Sequence, residues 1–238
     1  MKPRIVISAC LAGDKVRYNG KFVKDNFVIE LIPYIEVVKI CPEVGVNLGV
    51  PREKIILYQD QKRIRAFQPS TGRDLTKEIE DYSLFFLKSV SEVDGFLLKS
   101  KSPSCGVSLT KIFKDPEGIK LIRKGKGLFA KKVKEFYPLL PVADEIQLRR
   151  KKFKLRFLIS VFTLAQLRTC AEIEDFHFKI SRFLQTFYPR TERKLRSITD
   201  RDLYRIYLLK ILRKTPLGIL QTHLTFAVPQ ALLKQVLK

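Results

Sequence analysis

The sequence is poor in several things, and each shortage excludes something. No run of about 18 apolar residues occurs along the 238 residues, so no segment is expected to cross a membrane as a helix. Acid is scarce: 24 Asp and Glu stand against 46 Lys and Arg, a formal charge of +22. There are four cysteines, no Cys-x-x-Cys pair and no short repeat, which argues against a disulfide scaffold, a paired-thiol zinc site and a collagen-like chain. Ile7-Ser8-Ala9-Cys10 looks like a lipoprotein cleavage box, but only Ile5 to Ala9 separate Arg4 from Cys10. A secretory signal wants roughly 7–15 apolar residues there, so a cytoplasmic location is expected. In that reducing compartment cysteines are thiols, metal ligands or catalysts.

At 45% hydrophobic and 29% charged, the chain has enough apolar material for a sizeable core, and its length suits two domains. The basic excess points to a polyanionic partner, nucleic acid first and an anionic membrane surface second. It is unevenly spread. Residues 1–150 hold 28 basic and 18 acidic side chains, and residues 151–238 hold 18 and 6, so the shorter segment carries the larger surplus. Glycine marks the same division, with only Gly218 lying beyond Gly127.

The first part, residues 1–145, alternates strands with helices. Strands are expected at Arg4–Ser8, Glu36–Ile40, Val93–Leu98 and Leu140–Val142, with a hairpin from Lys54–Tyr58 and Arg63–Phe67. Helices are expected at Asn26–Tyr34, Leu75–Val90 and Gly127–Tyr137. This pattern gives an α/β domain, Rossmann-like with a mostly parallel sheet. Residues 146–238 read as an all-α basic domain, with helices over Phe153–Leu167, Glu172–Phe187, Arg190–Ile198, Asp200–Leu212 and Leu217–Leu237, and Thr199 as the cap of the fourth.

Cys10, Cys41 and Cys105 each follow an expected strand. Ligands of open α/β sheets bind at the carboxyl ends of the strands, so three thiols distant in sequence converge there if the sheet forms. Three thiolates around an iron–sulfur cluster leave one iron open, as a Lewis-acid catalyst needs. The same residues also read as three buried structural cysteines. Glu43 lies two residues from Cys41, and Cys105 sits in the hydroxyl-rich loop Ser100-Lys101-Ser102-Pro103-Ser104-Cys105-Gly106. Cys170 stands alone on a helix of the second part and reads as core.

Four separated blocks carry a family resemblance. Ser8-Ala9-Cys10-Leu11-Ala12-Gly13, Val16-Arg17-Tyr18-Asn19-Gly20, Cys41-Pro42-Glu43-Val44 with Val50-Pro51-Arg52, and Ser102-Pro103-Ser104-Cys105-Gly106 resemble, in order, those of the DUF523 family, which contains the thiouracil desulfidases. Asn19 stands where that family commonly has Asp. The resemblance implies a [4Fe–4S] cluster held by Cys10, Cys41 and Cys105 with its fourth iron open, and a catalytic carboxylate and hydroxyl in Glu43 and Ser102. Phe176-His177-Phe178-Lys179 more faintly resembles the DUF1722 family, without its second histidine; His177 alone reads as a partly buried helix residue.

These resemblances imply a desulfidase acting on 4-thiouridine in tRNA, releasing uridine and hydrosulfide by a net hydrolysis. Two alternatives are the same chemistry on free thiouracil or a thiolated nucleotide, and a non-enzymatic iron–sulfur protein that binds nucleic acid. The RNA partner would be met by Arg17 and Lys101 near the cluster motifs and by a strip of Arg149, Arg150, Lys151, Lys152, Lys154 and Arg156. Arg190, Arg193, Lys194 and Arg196 form a second candidate strip.

Overall fold

The computed structural model describes residues 1–237. Its elements run β1 (Arg4–Ser8), α1 (Asn26–Leu31), β2 (Glu36–Ile40), α2 (Pro42–Gly45), β3 (Ile56–Asp60), β4 (Arg63–Gln68), β5 (Arg73–Asp74), α3 (Thr76–Ser89), β6 (Gly95–Leu98), β7 (Thr110–Phe113), β8 (Leu121–Gly125), α4 (Leu128–Phe136) and β9 (Val142–Asp144). There follow α5 (Lys151–Thr169), α6 (Ile173–Phe187), α7 (Pro189–Arg196), α8 (Arg201–Lys214), α9 (Leu217–Leu224) and α10 (Gln230–Leu237). This is the expected order, an α/β part followed by helices. No helix among the described residues is long and apolar enough to cross a membrane.

β1 and β6 are short, apolar and buried, as parallel strands covered on both faces must be. They form the centre of a four-stranded parallel sheet in the order β2-β1-β6-β9. Ser8 lies opposite Ile40, and Leu98 opposite Asp144, so all four strands end at one edge. The strand order reverses between β1 and β6, which opens a crevice at that edge.

Successive side chains of β6 point to opposite faces of the sheet. Phe96 meets Tyr137, just past α4, with ring centroids 5.6 Å apart. On the other face a Cβ at Gly95 would lie 2.8 Å from Val161 of α5, so the glycine lets the helix approach closely. α5 is buried on all sides from Leu155 to Leu167, the mark of a central helix. Phe176, Tyr204, Leu208, Leu220 and Leu232 from the later helices pack into the same continuous core as Ile5, Ile7 and Phe96. The composition changes near residue 145, but the core crosses that point without a break.

A second sheet, in the order β5-β4-β3-β7-β8, stands apart from the first. Its inner face makes a smaller core of Leu57, Ala66 and Ile112 with Leu75 and Ile79. The expected hairpin is present as β3 and β4. β5, β7 and β8 were not expected; in β7 and β8, Lys111, Arg123 and Lys124 interrupt the apolar pattern. The helix expected over Leu217–Leu237 is broken, since Val228 is extended and Pro229 has no N–H to continue it. The helix expected over Asn26–Tyr34 tightens into a short 3₁₀ turn at Ile32–Tyr34, which contains Pro33. Asp200, not Thr199, caps α8, accepting from the Leu203 amide at 2.8 Å.

One buried ion pair ties α5 to the sheet. Asp94, fully buried, accepts from the Arg168 guanidinium at 3.1 Å and from the Arg4 amide at 2.8 Å. Arg168 also donates to the Lys2 carbonyl at 3.0 Å. Removing one member strands the other, so Asp94→Ala is expected to lower unfolding stability by about 3 kcal/mol, measured by urea denaturation.

Candidate active site

Cys10 lies two residues beyond β1, Cys41 directly follows β2 and begins α2, and Cys105 sits in the loop after β6. All three line one cavity of about 500 Å³ at the crevice, with Ile55 and Ile56 closing it from the second sheet. Cys10 and Cys105 are buried and Cys41 is half-buried. The Cys105 loop is held by its own polar groups. Ser102 Oγ accepts from the amides of Ser104 at 3.2 Å and Cys105 at 3.0 Å. The Leu128 and Ala130 amides, which lack partners inside α4, donate to the Pro103 and Ser104 carbonyls. Gly127 permits that approach, for a Cβ there would lie 2.4 Å from the Ser104 carbonyl oxygen.

The thiols feel their burial and each other. Cys10 is pushed up to about 12, first by desolvation and then by Cys41, with Lys99 and Arg17 pulling the other way. Desolvation, with Cys41 and Cys10 adding to it, raises Cys105 well above the ordinary thiol range, against a hydrogen bond from Ser8. Cys41 is raised by burial, while the amides of Val44 and Glu43 favour its thiolate.

Glu43 faces the same space. Its Oε2 accepts twice from Arg52, from Nε at 3.0 Å and also from Nη2. Its Oε1 accepts from the hydroxyls of Ser104 at 3.2 Å and Ser102 at 3.4 Å. One carboxylate oxygen is thus committed to a guanidinium and the other to two hydroxyls beside the thiols.

A second polar cluster supports the floor. Lys99 Nζ donates to Glu145 Oε1 at 2.5 Å and to Ser100 Oγ at 2.9 Å, and the Ser100 amide donates to Glu145 Oε2 at 2.8 Å. Burial pushes the Glu145 carboxyl up, but the Lys99 and Ser100 hydrogen bonds outweigh it and hold the group below its ordinary value. Lys99 and Ser100 follow β6, and Glu145 follows β9, so the same strand edge delivers them.

Arg17 and Lys101 line the cavity, as expected of them. Arg149, Arg150, Lys151 and Lys152 do not line it. Arg149 and Arg150 are exposed, Arg150 lying over the Phe153 ring, and Lys151 reaches the Leu237 carbonyl. Arg156 donates to the Leu212 and Thr215 carbonyls, a structural use of its charge. Asn19 accepts from the Lys21 amide at 3.3 Å and is a turn residue here. Cys170 follows α5, its thiol donating to the Leu167 carbonyl at 3.0 Å. His177 is buried in α6 between Tyr204 at 3.0 Å and Glu192 at 3.3 Å.

The 2-thiouracil desulfurase family model matches residues 5–145. The chain belongs to this family. It is similar to the uncharacterized protein YbbK of Bacillus subtilis (strain 168), with 28% identity over 113 residues, 43% of this chain and 72% of that protein. It is also similar to a solved structure, the [4Fe–4S]-dependent thiouracil desulfidase TudS, with 27% identity and a TM-score of 0.50 over 62% of this chain and 94% of that one. The desulfurase match takes in both sheets and every residue of the cavity, and it stops before α5.

The donor set fits an iron–sulfur cluster. Thiols this deep do not ionise unaided, whereas a multiply charged iron centre replaces their protons, and the Val44 and Glu43 amides already serve a thiolate at Cys41. Among the described residues no three ligand side chains close on a point as around a single metal ion. Cys170 is elsewhere, so three of the four cysteines of the chain line this cavity.

Lys99 and Glu145 were not reached from sequence, and Ser104 and Arg52 stood in the family blocks without an assigned role. The available signal was position: Lys99 and Glu145 sit one residue past a strand, as Cys41 does. Two outcomes are expected. Glu145→Gln leaves Lys99 without its buried partner and lowers stability by about 3 kcal/mol in chemical denaturation. Gly127→Ala pushes the Ser102–Cys105 loop aside, and alkylation of Cys105 in the metal-free protein speeds up about tenfold.

Proposed function

We propose that this chain is a [4Fe–4S]-dependent desulfidase that converts 4-thiouridine in tRNA to uridine and hydrosulfide. The observation that carries the reading is the meeting of three thiols, two buried and one half-buried, with the Glu43–Ser102 pair in one cavity at the strand edge. Family membership and the likeness to TudS support the class of chemistry. The net charge of +22 and the cations around the cavity mouth support a polyanionic substrate over a neutral base.

Cys10, Cys41 and Cys105 would hold the cluster, which supplies an open iron for a soft thiocarbonyl sulfur and so makes the carbon beside it electrophilic. Glu43 Oε1 takes a proton from the attacking water. Arg52 fixes the opposite carboxylate oxygen, so the basic oxygen faces the hydroxyls. Ser102 donates to that oxygen while its own Oγ is held by two loop amides, which keeps the pair in one geometry. The C–S bond is replaced by a C–O bond from water, sulfur leaves as hydrosulfide, and no electrons are gained or lost.

Protein purified without oxygen should contain iron and acid-labile sulfide and should remove the near-ultraviolet thiouridine absorbance from bulk tRNA. Turnover of a thiolated mononucleotide with no change in tRNA would transfer the function to small molecules. Cys105→Ser is expected to lose both iron and turnover. Glu43→Gln should keep its iron and lose kcat by about 10²-fold or more, measured on the same preparation.

A further inference from the structure

A second hollow adjoins the thiol cavity along the outer face of the second sheet. The two share Ile55, Ile56, Lys101, Pro103 and Lys111, and the second continues past Phe113 to Lys124. It has a volume of about 350 Å³. Its walls carry Lys101, Lys111 and Lys124 and no carboxylate.

Three features of these lysines stand out. Lys111 and Lys124 are directly opposite each other on antiparallel β7 and β8, and both are exposed. Like charges in that relation repel and destabilise a sheet unless something anionic lies over them. None of the three lysines makes an ion pair among the described residues. Lys101 has a φ of +61°, a left-handed conformation that a long side chain adopts at an energetic cost. The sequence around β8 extends the pattern, since residues 118–134 hold seven Lys or Arg and no Asp or Glu.

The geometry points to a track for a single nucleic-acid strand, leading away from the cavity that takes the thiolated nucleotide. The phosphates on one side of that nucleotide lie on Lys101, then on Lys111 and Lys124. Ile56, Pro103 and Phe113 give the neighbouring bases an apolar floor. A mononucleotide ends inside the first cavity and leaves the track empty. This inference rests on the reading of the thiol cavity given above and adds to it the direction in which the strand runs. It also puts RNA contact within the α/β part, separate from the strip at Arg149–Lys152.

The test uses two probes on the intact protein: a fluorescent octauridine RNA without sulfur, read by anisotropy across a salt series, and 4-thiouridine 5′-monophosphate, read by turnover. The double variant Lys111→Gln/Lys124→Gln is expected to bind the octamer at least ~10-fold more weakly, with a salt slope shallower by about 1.4, roughly 0.7 for each lost phosphate contact. Lys111→Arg/Lys124→Arg should restore both values. Lys124→Gln alone should weaken octamer binding and leave mononucleotide turnover within about twofold, because Lys124 lies outside the first cavity. Unchanged octamer binding in the double variant would overturn the track, as would a loss of mononucleotide turnover in Lys124→Gln equal to its loss of octamer binding. Equal affinity for an oligoglutamate peptide would reassign the groove to acidic protein. If the octamer results hold while neither bulk tRNA nor 4-thiouridine 5′-monophosphate is desulfurised, the track stands and the proposed reaction falls.

Discussion

The structure is organised around the difficulty of burying negative sulfur. Three thiols line one cavity, burial raises all three, and Cys41 makes ionisation harder still for Cys10 and Cys105. Their setting contains little that would relieve the problem alone: the amides of Val44 and Glu43, the Ser8 hydroxyl, and the charges of Lys99, Arg17 and Arg52. A cationic iron centre, if held by the three cysteines as proposed, would resolve it, and burial that is unfavourable for free thiolates would then limit the access of water and competing ligands.

Holding such a site requires rigidity from elements that do no chemistry. The Cys105 loop is bound from within by Ser102 and from below by the first amides of α4, with Gly127 clearing the way. The Lys99–Glu145 pair fixes the segment just before that loop to the end of the neighbouring strand. Each support is set by the register of the parallel sheet. A slip of one residue in β6 or β9 would separate Lys99 from Glu145 and move the loop off its helix.

Much of this was legible from residue order. β1 and β6 were readable because a parallel strand buried on both faces is a continuous apolar run, and β2, an edge strand with Glu36 and Lys39 exposed, by its β-branched residues; Cys10, Cys41 and Cys105 followed from the rule that parallel strands deliver ligands at their carboxyl ends. Glu43 and Ser102 came from the family resemblance. What stayed hidden depended on pairing across distance. Lys99 and Glu145 are 46 positions apart, and nothing in either neighbourhood names the other. β7 and β8 were obscured because lysines that serve the outer face interrupt the apolar pattern by which strands are recognised. The basic residues near the start of α5 drew attention by sheer density, yet Arg156 and Lys151 spend their charge on backbone carbonyls.

The close contact between Gly95 and Val161 bears on how this molecule can be divided. A polypeptide severed after Glu145 would retain all three cysteines of the cavity and still be left with a naked wall, the one that α5 now panels. Such a fragment would look for panelling from its neighbours and clump. The helices therefore act as cladding for the chemistry next door, and sequence families that end at a boundary in the text need not end at a seam in the building.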